Sequence, residues 1–123
     1  MKLRIKGNSI RLRLLRSEVD RFAAEGRISD EVRFGINALR YSLLMSDEAE
    51  SIYSRFENNE ITVFIPASAA RNWATGEMVG FETVQAIDGG EGLTILVEKD
   101  FVCVDRPEDP DRADAFPNPN GVC

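Results

Sequence analysis

Between Lys2 and Arg13, five cationic side chains recur at alternate positions on either side of a Gly7-Asn8 dipeptide. Lys2, Arg4 and Lys6 precede the dipeptide, and Arg11 and Arg13 follow it. Gly-Asn between two runs of period-2 alternation is a tight-turn signal, so KLRIKGNSIRLRL reads as a β-hairpin. In a two-residue turn Lys6 faces Ser9, Arg4 faces Arg11 and Lys2 faces Arg13, which puts all five cations on one face. Like charges directly opposite on a sheet each cost a few tenths to about 1 kcal/mol, so something must offset the crowding. Guanidinium forks match phosphate oxygens bidentately, and the chemistry this face offers is the gripping of an anion. The plainer reading is a solvated basic strand, balanced by water and by carboxylates such as Glu57, Glu60, Glu82 and Glu98. Basic strands of that kind also guard sheet edges against aggregation.

Other chemistry is largely subtracted by composition. The chain has no histidine, which removes Ser-His and Cys-His pairs and the commonest neutral-pH general base. Cys103 and Cys123 make no disulfide framework, and without histidine they complete no zinc site of the usual Cys/His kind. They read as two reduced thiols. Asp105, Glu108, Asp109, Asp111 and Asp114 resemble a calcium loop only in composition, lacking its glycine and its distal glutamate. The DGGEG loop at 88–92 has no following helix and no Lys-Ser/Thr, so it is not a phosphate-binding P-loop. No metal site, cofactor or catalytic residue is expected.

The elements that position the patch follow from periodicity. At 123 residues, with 43% hydrophobic content, the chain is long enough for one domain with a real core. After the first hairpin, RSEVDRFAAEG predicts a short helix capped by Ser17 and stopped by Gly26, with Val19, Phe22 and Ala23 as its apolar face. RISDEVRF and NALRYSLLM predict two more strands. The pattern then restarts: residues 4–23 align with 55–74 at an offset of 51. Arg4 meets Arg55, Ile10 meets Ile61, Ser17 meets Ser68, and Phe22 meets Trp73. SRFENNEITVFI predicts a second hairpin turning at Asn58-Asn59, PASAARNWATG a second helix, and EMVGFETVQAI with LTILVEKD two closing strands. The expectation is an α+β fold built by internal duplication, repeat 1 at about 2–45 and repeat 2 at about 51–99, within one domain at 1–104. Its eight antiparallel strands are expected to form a highly curved sheet or closed barrel with two short helices. Trp73 and Phe22 are expected as paired core anchors. Residues 105–123 read as a Pro/Asp-rich arm that Phe116 could anchor.

Charge limits the partners. The net charge is −6, yet residues 1–40 hold ten Lys/Arg against five Asp/Glu. An acidic chain is unsuited to general nucleic-acid binding, which needs a dominant basic surface. Nothing apolar is long enough to span a membrane, and the start lacks a secretory h-region, which predicts a cytoplasmic location.

Two resemblances bear on these residues. KLRIKGNSIRLRLLRSEV at the start, with VEKDFVCVDRPED and FPNPNG near the end, resembles a family of small bacterial proteins of about this length that form a domain of unknown function. That resemblance implies a single-domain cytoplasmic protein and brings no activity and no catalytic residues. The duplicated eight-stranded pattern is similar in architecture to the CYTH-like, or triphosphate-tunnel, barrels. This likeness implies a tunnel in which basic residues hold polyphosphate and acidic ones hold metal. The hallmark of those barrels is E-x-E-x-K on the first strand, where this chain has K-L-R-I-K, so Lys2, Arg4 and Lys6 cannot be such metal ligands. The expected function is a non-enzymatic binding module, with Lys2, Arg4, Lys6, Arg11 and Arg13 holding a phosphate-containing small molecule or an acidic protein surface. The alternatives are a tunnel-type hydrolase of phosphate compounds, with Glu82 and Glu98 holding Mg²⁺, and a self-associating module that pairs its strand edges.

Overall fold

The computed structural model of the chain describes residues 1–101 and 114–117. Where the sequence alternates, strands form: β1 (Lys2–Lys6) and β2 (Ser9–Leu14) pair antiparallel with Lys6 opposite Ser9, Arg4 opposite Arg11 and Lys2 opposite Arg13. Gly7 makes the turn at φ 54°, a conformation that favours glycine. Helix α1 (Arg16–Glu25) follows directly, then β3 (Arg27–Phe34) and β4 (Asn37–Ser46) as a second hairpin. The order then recurs with β5 (Tyr53–Glu57), β6 (Glu60–Pro66), α2 (Ala67–Thr75), β7 (Gly80–Ala86) and β8 (Gly92–Lys99). Asn58 and Asn59, both at positive φ, turn the β5–β6 hairpin as their residue types suggest.

The sheets are not assembled repeat by repeat. One has the strand order β1-β2-β8-β7 and the other β3-β4-β6-β5. Each sheet takes one hairpin from each half of the chain, and its two central strands, β2 with β8 and β4 with β6, run parallel. The expectation of eight antiparallel strands in one curved or closed sheet is therefore corrected. The four hairpins are antiparallel, but the hairpins join through parallel central pairs in two separate four-stranded sheets. The reason is connectivity. Each helix carries the chain out of one sheet and into the other, so a hairpin's lateral partner comes from the opposite half.

Equivalent positions nonetheless do equivalent work. Ile10, Leu12 and Leu14 on β2 and Val63 and Ile65 on β6 face one common core, with Ile28, Leu43, Ile95 and Val97 from the remaining strands. Phe22 of α1 and Trp73 of α2 are fully buried and meet edge to face at 6.2 Å, the expected paired anchors. Trp73 donates its indole N–H to the Val79 carbonyl at 3.0 Å, so its one polar atom is satisfied.

The helix caps depart from the expected pattern. The N-cap of α1 is Leu15, whose backbone N–H donates to Glu18 Oε1 at 2.9 Å. Leucine has no side-chain acceptor, so only the Glu18 half of a capping box exists. Ser17 is already the second residue of the helix. Its N–H and Oγ donate to the Asp114 carboxylate at 3.1 and 2.5 Å. Gly26 ends α1 in the left-handed conformation at φ 76°, donating to the Phe22 carbonyl at 2.7 Å. Gly76, its counterpart after α2, is extended instead. Phe116 does anchor the late segment. Its N–H donates to the Asp100 carbonyl at 2.8 Å, and its ring packs on Phe101 with centroids 5.8 Å apart. Cys103, Cys123 and Asp105, Glu108, Asp109 and Asp111 lie outside the described residues.

The two sheets approach along two seams joined by side chains. At the β5/β7 seam, Gln85 Oε1 accepts from the Ser54 N–H at 2.6 Å and from Ser54 Oγ at 2.8 Å, while Gln85 Nε2 donates to the Ser54 carbonyl at 3.1 Å. At the β1/β3 seam the Met1 ammonium pairs with Asp30 at 3.1 Å and also with Glu18, and the Tyr41 hydroxyl donates to the Met1 carbonyl at 3.0 Å. The helices close one end of the molecule. All four hairpin turns lie at the other.

Candidate functional site: a basic pocket on an outer sheet face

Because Ile10, Leu12 and Leu14 face the core, the alternating residues of β2 must face out, and the antiparallel register carries the same sidedness to β1. Lys2, Arg4, Lys6, Arg11 and Arg13 therefore share the outer face of the β1-β2-β8-β7 sheet. They do not lie between the two sheets.

Carboxylates balance the face unevenly. Arg11 Nε lies 2.9 Å from Glu98 Oε1 on the adjacent strand β8, an ion pair that lacks hydrogen-bond geometry. Lys2 pairs with Asp100 at 3.0 Å just past β8. Arg13 keeps its Nε buried without a hydrogen-bond partner. Arg4 and Lys6 make no ion pair among the described residues. Of the four glutamates expected to offset the patch, only Glu98 reaches it. Glu60 pairs with Arg27 at 3.2 Å, and Glu57 lies 3.6 Å from Arg55, both on the other sheet. Glu82 stands opposite Leu96 in the β7–β8 register, with β8 between it and Arg11. Asp100 is the partner that sequence reasoning missed, because no periodic pattern links a residue after the last strand to the first.

Where the carboxylates leave off, a cavity of about 140 Å³ opens, lined by Arg4, Lys6, Ser9, Arg11 and Leu96. Its lining carries three cations, one hydroxyl and no carboxylate. Ser9 Oγ donates to the Lys6 carbonyl at 2.7 Å, which ties the turn end of the hairpin and fixes that wall. A volume several times the roughly 30 Å³ that one water occupies in the liquid has room for a phosphate group. Among the described residues no cluster of three or more Cys, Asp or Glu side chains could hold a metal ion.

The outer face of the other sheet is differently built at the equivalent positions. There Tyr53 stacks on Phe64 at 4.6 Å, and the Arg55 guanidinium lies over the Phe64 ring at 5.1 Å. Ser29, Ser42, Glu60 and Arg27 form one connected polar network. An unsatisfied basic surface thus belongs to the first hairpin and is not a shared property of both sheets.

The fold is an α+β arrangement of two mixed sheets over one helical end, with a basic pocket on one outer face. The chain belongs to a family described as a family of unknown function (DUF7009), which matches residues 1–120. No curated protein and no solved structure matches it. Among the described residues no helix is long and apolar enough to cross a membrane.

Proposed function

We propose that the protein is a binding module whose first hairpin holds a phosphate-type anion, with Arg4, Lys6 and Arg11 as its donors and Lys2 and Arg13 at the margin. The observation that carries this reading is the pocket in which, among the described residues, no carboxylate lines the wall and Arg4 and Lys6 lack ion pairs. Two arginines opposite one another cost stability unless an anion or a counter-charge bridges them, and Glu98 reaches only Arg11. A bound phosphate would accept from both guanidinium forks and from the Lys6 ammonium, replacing repulsion by charge-assisted hydrogen bonds. An acidic protein surface would satisfy the same donors less compactly. The two chain halves, in this reading, descend from one ββαββ unit, of which only the first kept the basic hairpin.

Thermal unfolding with and without tripolyphosphate, ATP and sulfate tests the assignment. At about a hundred times its dissociation constant, a ligand stabilises by roughly 2.7 kcal/mol, a shift on the order of several degrees for a domain of this size. The expected result is a tripolyphosphate-dependent rise that disappears in Arg4→Ala/Lys6→Ala. Without ligand, that variant should be as stable as the wild type or slightly more so, because the repulsion is relieved. No shift in the wild type with any of the three anions refutes the assignment, as does an equal shift in wild type and variant.

A further inference from the structure

At the helix-free end, the inner faces of both sheets run out of partners. Ile5, Val32, Phe34 and Phe56 share the faces of Ile10, Ile28 and Val63, which are core residues, yet they lie beyond the last layer that the helices and opposing strands cover. Ile36, Phe34, Phe56 and Ile5 expose 99%, 68%, 67% and 60% of their surface, and Val32 and Ile87 stand beside them. Apolar side chains gathered at one end of a molecule, several of them more than half exposed, mark an interaction surface. The charges around it are sorted. The β1–β2 and β3–β4 turns, neighbours across one seam, carry Lys6 and Arg33. The β5–β6 and β7–β8 turns, neighbours across the other, carry Glu57, Glu60, Asp88 and Glu91.

We propose that this open end is the contact surface of a twofold homodimer, in which the basic half of each rim meets the acidic half of its partner. Only one of the in-plane twofold axes does this. It sets the β1–β2 turn against the β7–β8 turn of the second copy, and the β3–β4 turn against its β5–β6 turn. Lys6 then faces Asp88 and Glu91, and Arg33 faces Glu57, each contact occurring twice as an isologous interface requires. A single basic or acidic rim would repel its copy; a rim with one half of each sign is complementary to itself. The contact is made by the turn ends and the apolar side chains between them, not by strand edges. The intramolecular pairs that now occupy these tips, Arg33 with Glu31 at 3.3 Å and Glu57 with Arg55 at 3.6 Å, are exposed and cost little to exchange.

Sedimentation velocity on wild type, Arg33→Glu and Glu57→Lys tests this surface, with circular dichroism confirming the fold of each. Neither substituted residue lines the anion pocket, so each variant keeps all three of its cationic donors. The wild type should sediment at twice the 13.7 kDa chain mass at high micromolar concentration, each variant should weaken association at least tenfold, and an equimolar mixture of the two should restore the dimer. Rescue follows because the two reversed charges meet each other across the interface, while the unaltered Glu57 of the first variant meets the unaltered Arg33 of the second. Ile36→Glu should weaken association without being rescued by either. A monomeric wild type overturns the proposal. So do variants that associate like the wild type, or a mixture that stays monomeric.

Discussion

Lys99 is the one buried charged side chain on the core-facing side of β8, 6% exposed, where Ile95 and Val97 precede it on the same face. Its ammonium donates to the Gly76 carbonyl at 2.8 Å, satisfying the C-terminal end of α2, and lies 5.3 Å above the Phe116 ring. Burial first, and the charge of Arg16 second, push its pKa below the usual 10.5, while Glu77 opposes. Tyr41 moves the other way: burial, then the carboxylates of Asp30 and Glu18, hold its phenol above the usual 10.0. The signs follow from which state binds more protons. Between the lowered Lys99 value and 10.5, the unfolded chain holds a proton the native state has shed, so this residue makes stability rise with pH. From 10.0 up to the raised Tyr41 value, the native state keeps a proton the unfolded chain has lost, so this residue makes stability fall. Urea midpoints followed from neutral pH to about 11 should therefore fall more steeply in Lys99→Met and less steeply in Tyr41→Phe than in the wild type. Parallel curves for all three would remove these two groups as the titrating pair.

At the scale of the elements, sequence was most informative where structure is local. The register of the first hairpin, including Arg4 opposite Arg11, was legible because period-2 alternation and a Gly-Asn turn leave one arrangement with an apolar face. That the five cations share one face followed from the same alternation; that this face points outward did not, because alternation does not say whether a sheet closes. Pairing between hairpins was not legible, because alternation says which face a strand buries and is silent on which strand lies beside it. The ion pairs of Arg11 with Glu98 and Lys2 with Asp100 depend on that pairing and were hidden with it. Glycines illustrate the same divide. Gly26 is readable as a helix stop, and Gly26→Ala should cost about 1 kcal/mol for its left-handed backbone, because a Cβ there meets only Met45 at an ordinary 3.9 Å. Gly80 carries no local signal, yet a Cβ there would lie 2.1 Å from the Val97 carbonyl oxygen. Gly80→Ala should cost more, roughly 2 to 3 kcal/mol, since strand backbone must move. Chemical denaturation of both variants checks the ranking, and equal costs would contradict it.

For the whole molecule, the consequential feature is that two sheets replace one closed barrel. A barrel would zip its edges with backbone hydrogen bonds, whereas here Gln85 alone supplies three bonds to Ser54 across the β5/β7 seam. Gln85→Leu keeps the bulk and leaves the Ser54 N–H and carbonyl without these partners, which should cost about 1 to 3 kcal/mol. Adding Ser54→Ala should then cost little more, because the two substitutions remove one shared interaction. Additive losses in urea unfolding would show that the seam is held by something else.

The exchange of hairpins between halves also governs how the chain can be made. The hairpin β1–β2 leaves the ribosome early, but its lateral partner β8 is synthesised last among the strands. At 5–20 residues per second the wait is on the order of ten seconds, during which β2 has β1 on one edge and no strand on the other. The cationic outer face then has a second use, since a nascent hairpin carrying five like charges resists pairing with another nascent copy of itself.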